Sequence, residues 1–172
     1  MSTGIRLLTE GDEDVLREYL YMALLVPEGH PALPREILQE PPIARYVDGW
    51  GREGDLGVLA SDASGEDIGA AWLRRWAGTE RGFGFVAYDV PELSLAVRPG
   101  HRGRGVGTQM LSALLGIVDK RGWSVSLSVD RRNPALRLYR RFGFEEDEGR
   151  GDSLTMVRQA LGKVAGGGRP AR

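Results

Sequence analysis

The sequence predicts a mixed α/β fold built as a single domain, one sheet covered by helices. Three observations predict it. The chain has 172 residues of which 41% are hydrophobic, enough to bury one core of ordinary domain size. Its apolar residues switch between helical spacing and strand alternation along the chain. The resulting order is strand, two helices, three strands, helix, strand, helix and two closing strands. That order does not alternate strictly, so the sheet is mixed rather than doubly wound and parallel.

Each element has a local cause. Ile5 to Leu8 reads as an opening strand, and Thr9 with Asp12 offers an N-cap and an acidic first turn. The helix that follows carries Val15, Leu16, Tyr19, Leu20, Ala23 and Leu24 at three- and four-residue spacing, and Pro27 with Gly29 stops it. A weaker helical region from Pro34 to Tyr46 is broken by Pro41 and Pro42. Gly54 to Ala60 and Ile68 to Trp76 form an antiparallel hairpin through the polar turn at 61–65. Gly78 to Pro91 is a loop rich in glycine and aromatics, and Leu93 to Val97 is a compact strand ending at Pro99-Gly100. Val106, Met110, Leu111, Leu114, Leu115 and Val118 mark an amphipathic helix ended by Gly122. Trp123, Val125, Leu127 and Val129 alternate with serines as a half-buried strand. Pro134 to Phe142 is a short helix, and Phe144 to Glu148 and Ser153 to Val157 are the last strands. The domain is expected over 1–160, with 161–172 a disordered tail.

Composition excludes several function classes. A net charge of -1 points to neither nucleic acid nor an anionic membrane surface. The absence of cysteine removes disulfides, thiolate metal sites and a cysteine nucleophile, and His30 and His101 alone make a zinc cluster unexpected. No apolar stretch approaches the ~20 residues of a membrane span and the N-terminus lacks signal-peptide order, so a cytoplasmic location is expected.

The chemistry-bearing segment is Arg102-Gly103-Arg104-Gly105-Val106-Gly107-Thr108, set between a strand and a helix. Backbone N–H groups at a helix N-terminus suit an anion, and glycines admit close approach and left-handed conformations. A flexible Gly/Arg turn is the plainer alternative. A phosphate-binding P-loop is ruled out, because neither Lys120 nor Lys163 follows the required glycine pattern. A dinucleotide fingerprint fits poorly, since Met110 or Thr108 stands where a small residue or glycine is needed.

Arg-x-x-Gly-x-Gly after the strand Leu95-Ala96-Val97-Arg98-Pro99 resembles the acetyl-CoA motif of the GNAT N-acetyltransferase superfamily. A second segment, Asn133-Pro134-Ala135-Leu136-Arg137-Leu138-Tyr139 through Gly143-Phe144, resembles that superfamily's second motif, one strand further on. The resemblance implies a twisted, mostly antiparallel sheet of about six to seven strands with about four helices. It implies that amides of Arg102, Gly103, Arg104, Gly105, Val106, Gly107 and Thr108 hold the CoA pyrophosphate. Main-chain groups of Leu95 and Val97 would pair with the pantetheine arm, and an amide near Leu95 or Ala96, exposed by a strand bulge, would stabilise the oxyanion.

Acyl transfer to an amine needs a base for the amine and an acid for the departing thiolate. Tyr139, with an intrinsic pKa near ~10, is the candidate acid, against the alternative of a packed core tyrosine. Asn133 would bond the pantetheine arm or cap the following helix. Glu92 is the candidate base, with Glu80 and Asp89 as rivals, and relatives often lack a dedicated one. Tyr21, Tyr46, Trp72, Trp76, Phe83, Phe85 and Tyr88 are available to an acceptor pocket. Trp72, Arg74 and Trp76 on one strand face could stack on nucleic acid, although alternation more simply makes a mixed sheet face. The expected function is transfer of an acetyl (acyl) group from acetyl-CoA to a primary amine of a small molecule or peptide by direct attack in a ternary complex, with a catalytically silent CoA-binding sensor or structural protein as the other reading. No metal is expected, and a homodimer through an exposed sheet edge is plausible.

Overall fold

Thr9 and Asp12 open the helical layer as their spacing predicts. In the computed structural model, which describes residues 2–24 and 26–162, Asp12 Oδ2 accepts from the Thr9 amide at 2.7 Å and from its hydroxyl at 3.2 Å. Arg6 closes on the same carboxylate at 2.8 and 2.9 Å. The Arg6 guanidinium, more than any other group, lowers the Asp12 pKa to about 2. Helix α1 (Glu13–Ala23) follows and buries Leu16, Tyr19 and Leu20. Pro41 and Pro42 do not break a helix but begin one, the single turn α2 (Pro41–Ala44), behind a 3-10 turn at 35–39. Proline costs nothing at a first helical position because its missing N–H would have had no partner.

Seven strands form one sheet: β1 (Gly4–Leu7), β2 (Leu56–Ser61), β3 (Asp67–Arg74), β4 (Glu92–Val97), β5 (Val125–Asp130), β6 (Glu145–Arg150) and β7 (Ser153–Arg158). Their spatial order is β1-β2-β3-β4-β5-β7-β6. All neighbours are antiparallel except β4 and β5, which run parallel and meet at one pair, Glu92 with Ser126. The last helices are α3 (Val106–Arg121) and α4 (Leu136–Arg141). Expected and observed elements agree in kind and order, with ends displaced by a few residues. Residues 163–172, most of the predicted tail, lie outside the described residues.

Strand β3 is buried over nearly its whole length because both its faces are covered. Helix α3 packs Met110, Leu111, Leu114 and Val118 on one side, against the core that β5, β7 and Phe144 also share. On the other side α1 and the segment around Tyr46 to Trp50 cover Leu59, Ala70, Trp72 and Ala96.

That second layer is tied to the sheet by polar bonds. Arg74, 1% exposed, pairs with Asp55 at 2.8 and 3.1 Å and donates to the carbonyls of Arg45 and Asp48 at 2.9 and 2.6 Å. Trp72 Nε1 donates to Tyr46 O at 3.0 Å. Trp72, Arg74 and Trp76 are therefore interior side chains, and their strand face offers no stacking platform to a nucleic acid. Among the described residues no helix is long and apolar enough to cross a membrane.

Candidate active site

The strand that ends at the glycine-rich run has one free edge. The Arg98 amide donates to Ile68 O at 2.9 Å, and the β3–β4 register pairs Gly69 with Val97 through to Arg74 with Glu92 without a break. Antiparallel pairing alternates, so Ala96, Ser94 and Glu92 turn their backbone groups to β3, and Leu93, Leu95 and Val97 turn theirs to the other side. On that side β5 pairs at Glu92 alone. The main-chain groups of Leu95 and Val97 thus face the gap where β4 and β5 part. Two expectations need correction. No bulge interrupts β4 against β3, since the parting of β4 from β5 is what exposes the edge, and Ala96 offers the gap no amide because it is spent on Ala70.

The run 102–108 forms the approach to α3. Gly103 and Gly105 adopt φ of 72° and 82°, and a Cβ on either would meet nothing within 4 Å. Their left-handed conformations are what a side chain would strain. Among the described residues the amides of Gly103 through Thr108 donate to no backbone carbonyl, the first bond of the helix being Gln109 N to Gly105 O. Six consecutive free donors at the positive end of a 16-residue helix suit an anion. Arg104 is exposed beside them, whereas Arg102 folds back to donate to Val97 O at 3.0 Å and Arg141 reaches Thr108 Oγ1 at 3.0 Å.

A cavity of about 140 Å³ opens at the parting of β4 and β5. Ser94 and Leu95 of β4 and Ser128 and Val129 of β5 form its sheet side, and Glu92, Asn133 and Tyr139 also line it. Leu20, Ala23, Leu24, Ile43, Tyr46 and Phe83 close the opposite wall. Glu92 and the Asn133 to Tyr139 segment, about 40 residues apart in sequence, therefore meet in one place.

Glu92 is 3% exposed and held by three donors. Tyr46 Oη and the Gly84 amide donate to Oε1 at 2.6 and 2.9 Å, and Trp76 Nε1 donates to Oε2 at 2.9 Å. Burial pushes the Glu92 carboxyl above the ordinary glutamate range, against the opposing pull of these bonds. Burial beside Glu92 likewise raises the Tyr46 hydroxyl, which in turn accepts from the Phe83 amide at 2.7 Å. The loop can come this close because residues 82 and 84 lack side chains. A Cβ on Gly82 would strike Glu92 Oε2 and Tyr46 Oη, and one on Gly84 would lie 2.5 Å from the Leu127 carbonyl carbon of β5. Those glycines and the Tyr46 brace are what the sequence reading did not find. Their only signal is the Gly82-Phe83-Gly84-Phe85 spacing in a loop.

Tyr139 is 7% exposed, and burial alone raises its hydroxyl above the ordinary tyrosine value. Asn133 closes the turn that leads into α4 rather than capping the helix, its Oδ1 accepting from the Ala135 amide at 2.9 Å, which leaves its Nδ2 available in the cavity it lines. The rival carboxylates lie elsewhere: Glu80 pairs with Arg52 at 3.2 Å, and Asp89 borders a separate cavity with Arg75 and Trp123. Of the aromatic candidates, Tyr46 and Phe83 line the central cavity, while Tyr21 bonds Leu33 O and Phe85 packs on Tyr88. Among the described residues no cluster of three or more His, Asp or Glu could hold a metal ion.

Comparison with known proteins agrees with this architecture. The chain is 36% identical over 102 residues to an L-methionine sulfoximine/L-methionine sulfone acetyltransferase of Pseudomonas paraeruginosa, covering 58% of this chain and 56% of that one. It is 29% identical over 120 residues to streptothricin acetyltransferase of Streptomyces lavendulae, covering 64% and 61%. The chain thus spans somewhat more than half the length of these relatives. In fold it matches a GNAT superfamily phosphinothricin acetyltransferase of Sinorhizobium meliloti in complex with AcCoA, at a TM-score of 0.64 and 22% identity over 93% of this chain and 89% of that one. Residues 53–146, running from β2 through the glycine-rich run to Tyr139 and just beyond, match the model of the acetyltransferase (GNAT) domain, and the chain belongs to that family.

Proposed function

We propose that this chain transfers the acetyl group of acetyl-CoA to a primary amine of a small molecule, by direct attack in a ternary complex. One observation carries the reading: Glu92 of β4, Tyr139 of α4 and Asn133 of the turn before α4 line a single cavity at the free edge of β4. The residues fit the donor. Free amides at 103–108 suit a pyrophosphate, and the Leu95 and Val97 edge suits an arm that itself carries amides. Relatives named for small-molecule acceptors support the acceptor class.

Each group then has a task. Glu92 takes the proton of the amine nitrogen as that nitrogen bonds to the thioester carbonyl carbon, and its raised pKa makes it a stronger base than an ordinary carboxylate. An N–H of the open β4 edge donates to the carbonyl oxygen as charge gathers there. Tyr139 gives its proton to the sulfur as the carbon–sulfur bond breaks, leaving amide and free thiol. Buried away from water, the tyrosine stays protonated until it is needed. The test is thiol release from acetyl-CoA across a panel of amines. Acetylated product is the expected result, and tight CoA binding with no turnover on any amine would make the chain a sensor instead.

A further inference from the structure

Among the described residues the cavity lining holds one carboxyl group and no basic side chain. Among the described residues, Glu92 is the sole acidic or basic side chain, the tyrosines apart, that lines the cavity, and the wall opposite the sheet is Leu20, Ala23, Leu24, Ile43 and Phe83 with the ring of Tyr46. The nearby arginines are turned elsewhere. Arg45 donates to the carbonyls of Pro41 and Arg81 at 2.9 Å each. Arg81 lies over the rings of Phe85 and Tyr88, and Arg35 lies over Tyr21 while pairing with Glu18.

We infer that the acceptor is a primary amine borne on an apolar group, with no carboxylate beside the amine. This rests on the acetyltransferase reading. An ammonium or amine group is welcome at the Glu92 carboxylate, and an apolar body fits the leucine and phenylalanine wall. The carboxylate of an α-amino acid would sit two bonds from the same nitrogen. It would enter a buried site beside a second carboxylate with no lining cation to receive it. The family match begins at residue 53, so the wall residues 20, 23, 24, 43 and 46 lie outside it, while Phe83 and Glu92 lie within it.

Matched pairs test the inference: phenethylamine against L-phenylalanine and isopentylamine against L-leucine, with L-phenylalaninol replacing the carboxylate by a neutral group of similar size. Thiol release is followed with acetyl-CoA in excess. The free amine of each pair should have kcat/KM about a hundredfold above the amino acid, with phenylalaninol siding with the amine. The more acidic ammonium of the amino acids gives them the larger free-base fraction, so ionisation cannot produce that order. Equal rates, or a preference for the amino acids, would overturn the inference while leaving acetyl transfer intact. No thiol release with any amine would defeat the acetyltransferase reading itself, and calorimetric binding of the same pairs to CoA-loaded protein then decides the acceptor class. Tighter binding of the amines supports it, and tighter or equal binding of the amino acids, or binding of neither, overturns it.

Discussion

Replacing Tyr139 by phenylalanine removes one oxygen and leaves the ring, and the structure separates what that costs folding from what it costs chemistry. The ring packs edge-on against Phe144 at 5.9 Å and stays in place in the variant. Burial is the only cause acting on the hydroxyl's pKa, and no protein group bonds to it among the described residues. With no intramolecular hydrogen bond to lose, stability should change by less than about 0.5 kcal/mol, a melting shift within about 2 °C. A positioned general acid contributes about 10²–10⁴ in rate, or about 2.7–5.4 kcal/mol of barrier. Turnover should therefore fall by that factor while the CoA dissociation constant stays within about twofold. Thiol-release kinetics, calorimetric CoA titration and a melting curve on the same preparation measure the three quantities. A variant with turnover within threefold of the parent would end the acid assignment. So would a variant that loses CoA affinity with turnover per bound complex unchanged. The pKa direction adds a second readout: because burial holds the hydroxyl above 10, the protonated, active form persists through pH 10, and no alkaline loss of kcat below that pH should trace to Tyr139.

Three further predictions concern the other parts of the site. Gly105→Val forces a side chain onto a left-handed residue, at a cost of about 1–2 kcal/mol, and fills open space where an anion would lie; CoA affinity measured by calorimetry should drop at least about tenfold with the fold retained. A base must be deprotonated to act, so kcat should fall as the solution is acidified through the raised Glu92 pKa, at a pH above the ordinary value near ~4.3, and Glu92→Gln should remove that limb from the profile. An unchanged limb in the variant would assign it to another group. Arg74→Met strands the Asp55 carboxylate, 2% exposed, without its partner, which should cost about 3–5 kcal/mol and lower the melting temperature by about 6–20 °C, with partial recovery on adding Asp55→Leu.

The order of elements and the donor site were legible because both follow from local rules. A left-handed turn before a helix demands glycine at named positions, and Gly103 and Gly105 stand there; an asparagine side chain closes the turn that leads into a helix, and Asn133 does so three residues before α4. Elements ending in proline or glycine were placed to within a few residues for the same reason. The proline pair at 41–42 misled because proline reads as a breaker in sequence and as a first residue in space, and the choice depends on where the preceding turn ends. The free edge of β4 was expected from a bulge and arises instead from how two parallel strands part after one shared pair. That is a property of the sheet as a whole, written in no single stretch of residues.

The Glu92 environment shows why the base was the hardest residue to place. Its ionised form is disfavoured by burial, so its placement needs donors, and these come from Tyr46, Trp76 and Gly84, which lie 46, 16 and 8 residues away. Tyr46 reaches it only because Trp72 holds the Tyr46 carbonyl and Arg74 holds those of Arg45 and Asp48. Thus Trp72 and Arg74, which alternation marked as part of a mixed sheet face, are buried and fasten the segment that carries Tyr46. On the proposed reading, donor recognition would work through backbone and depend on a few glycines, so it is confined to a short pattern. Acceptor recognition, on the same reading, would work through side chains carried in by a segment that the sheet must first fasten, so the residues that tie that segment down would belong to the specificity of the site as much as those that line it.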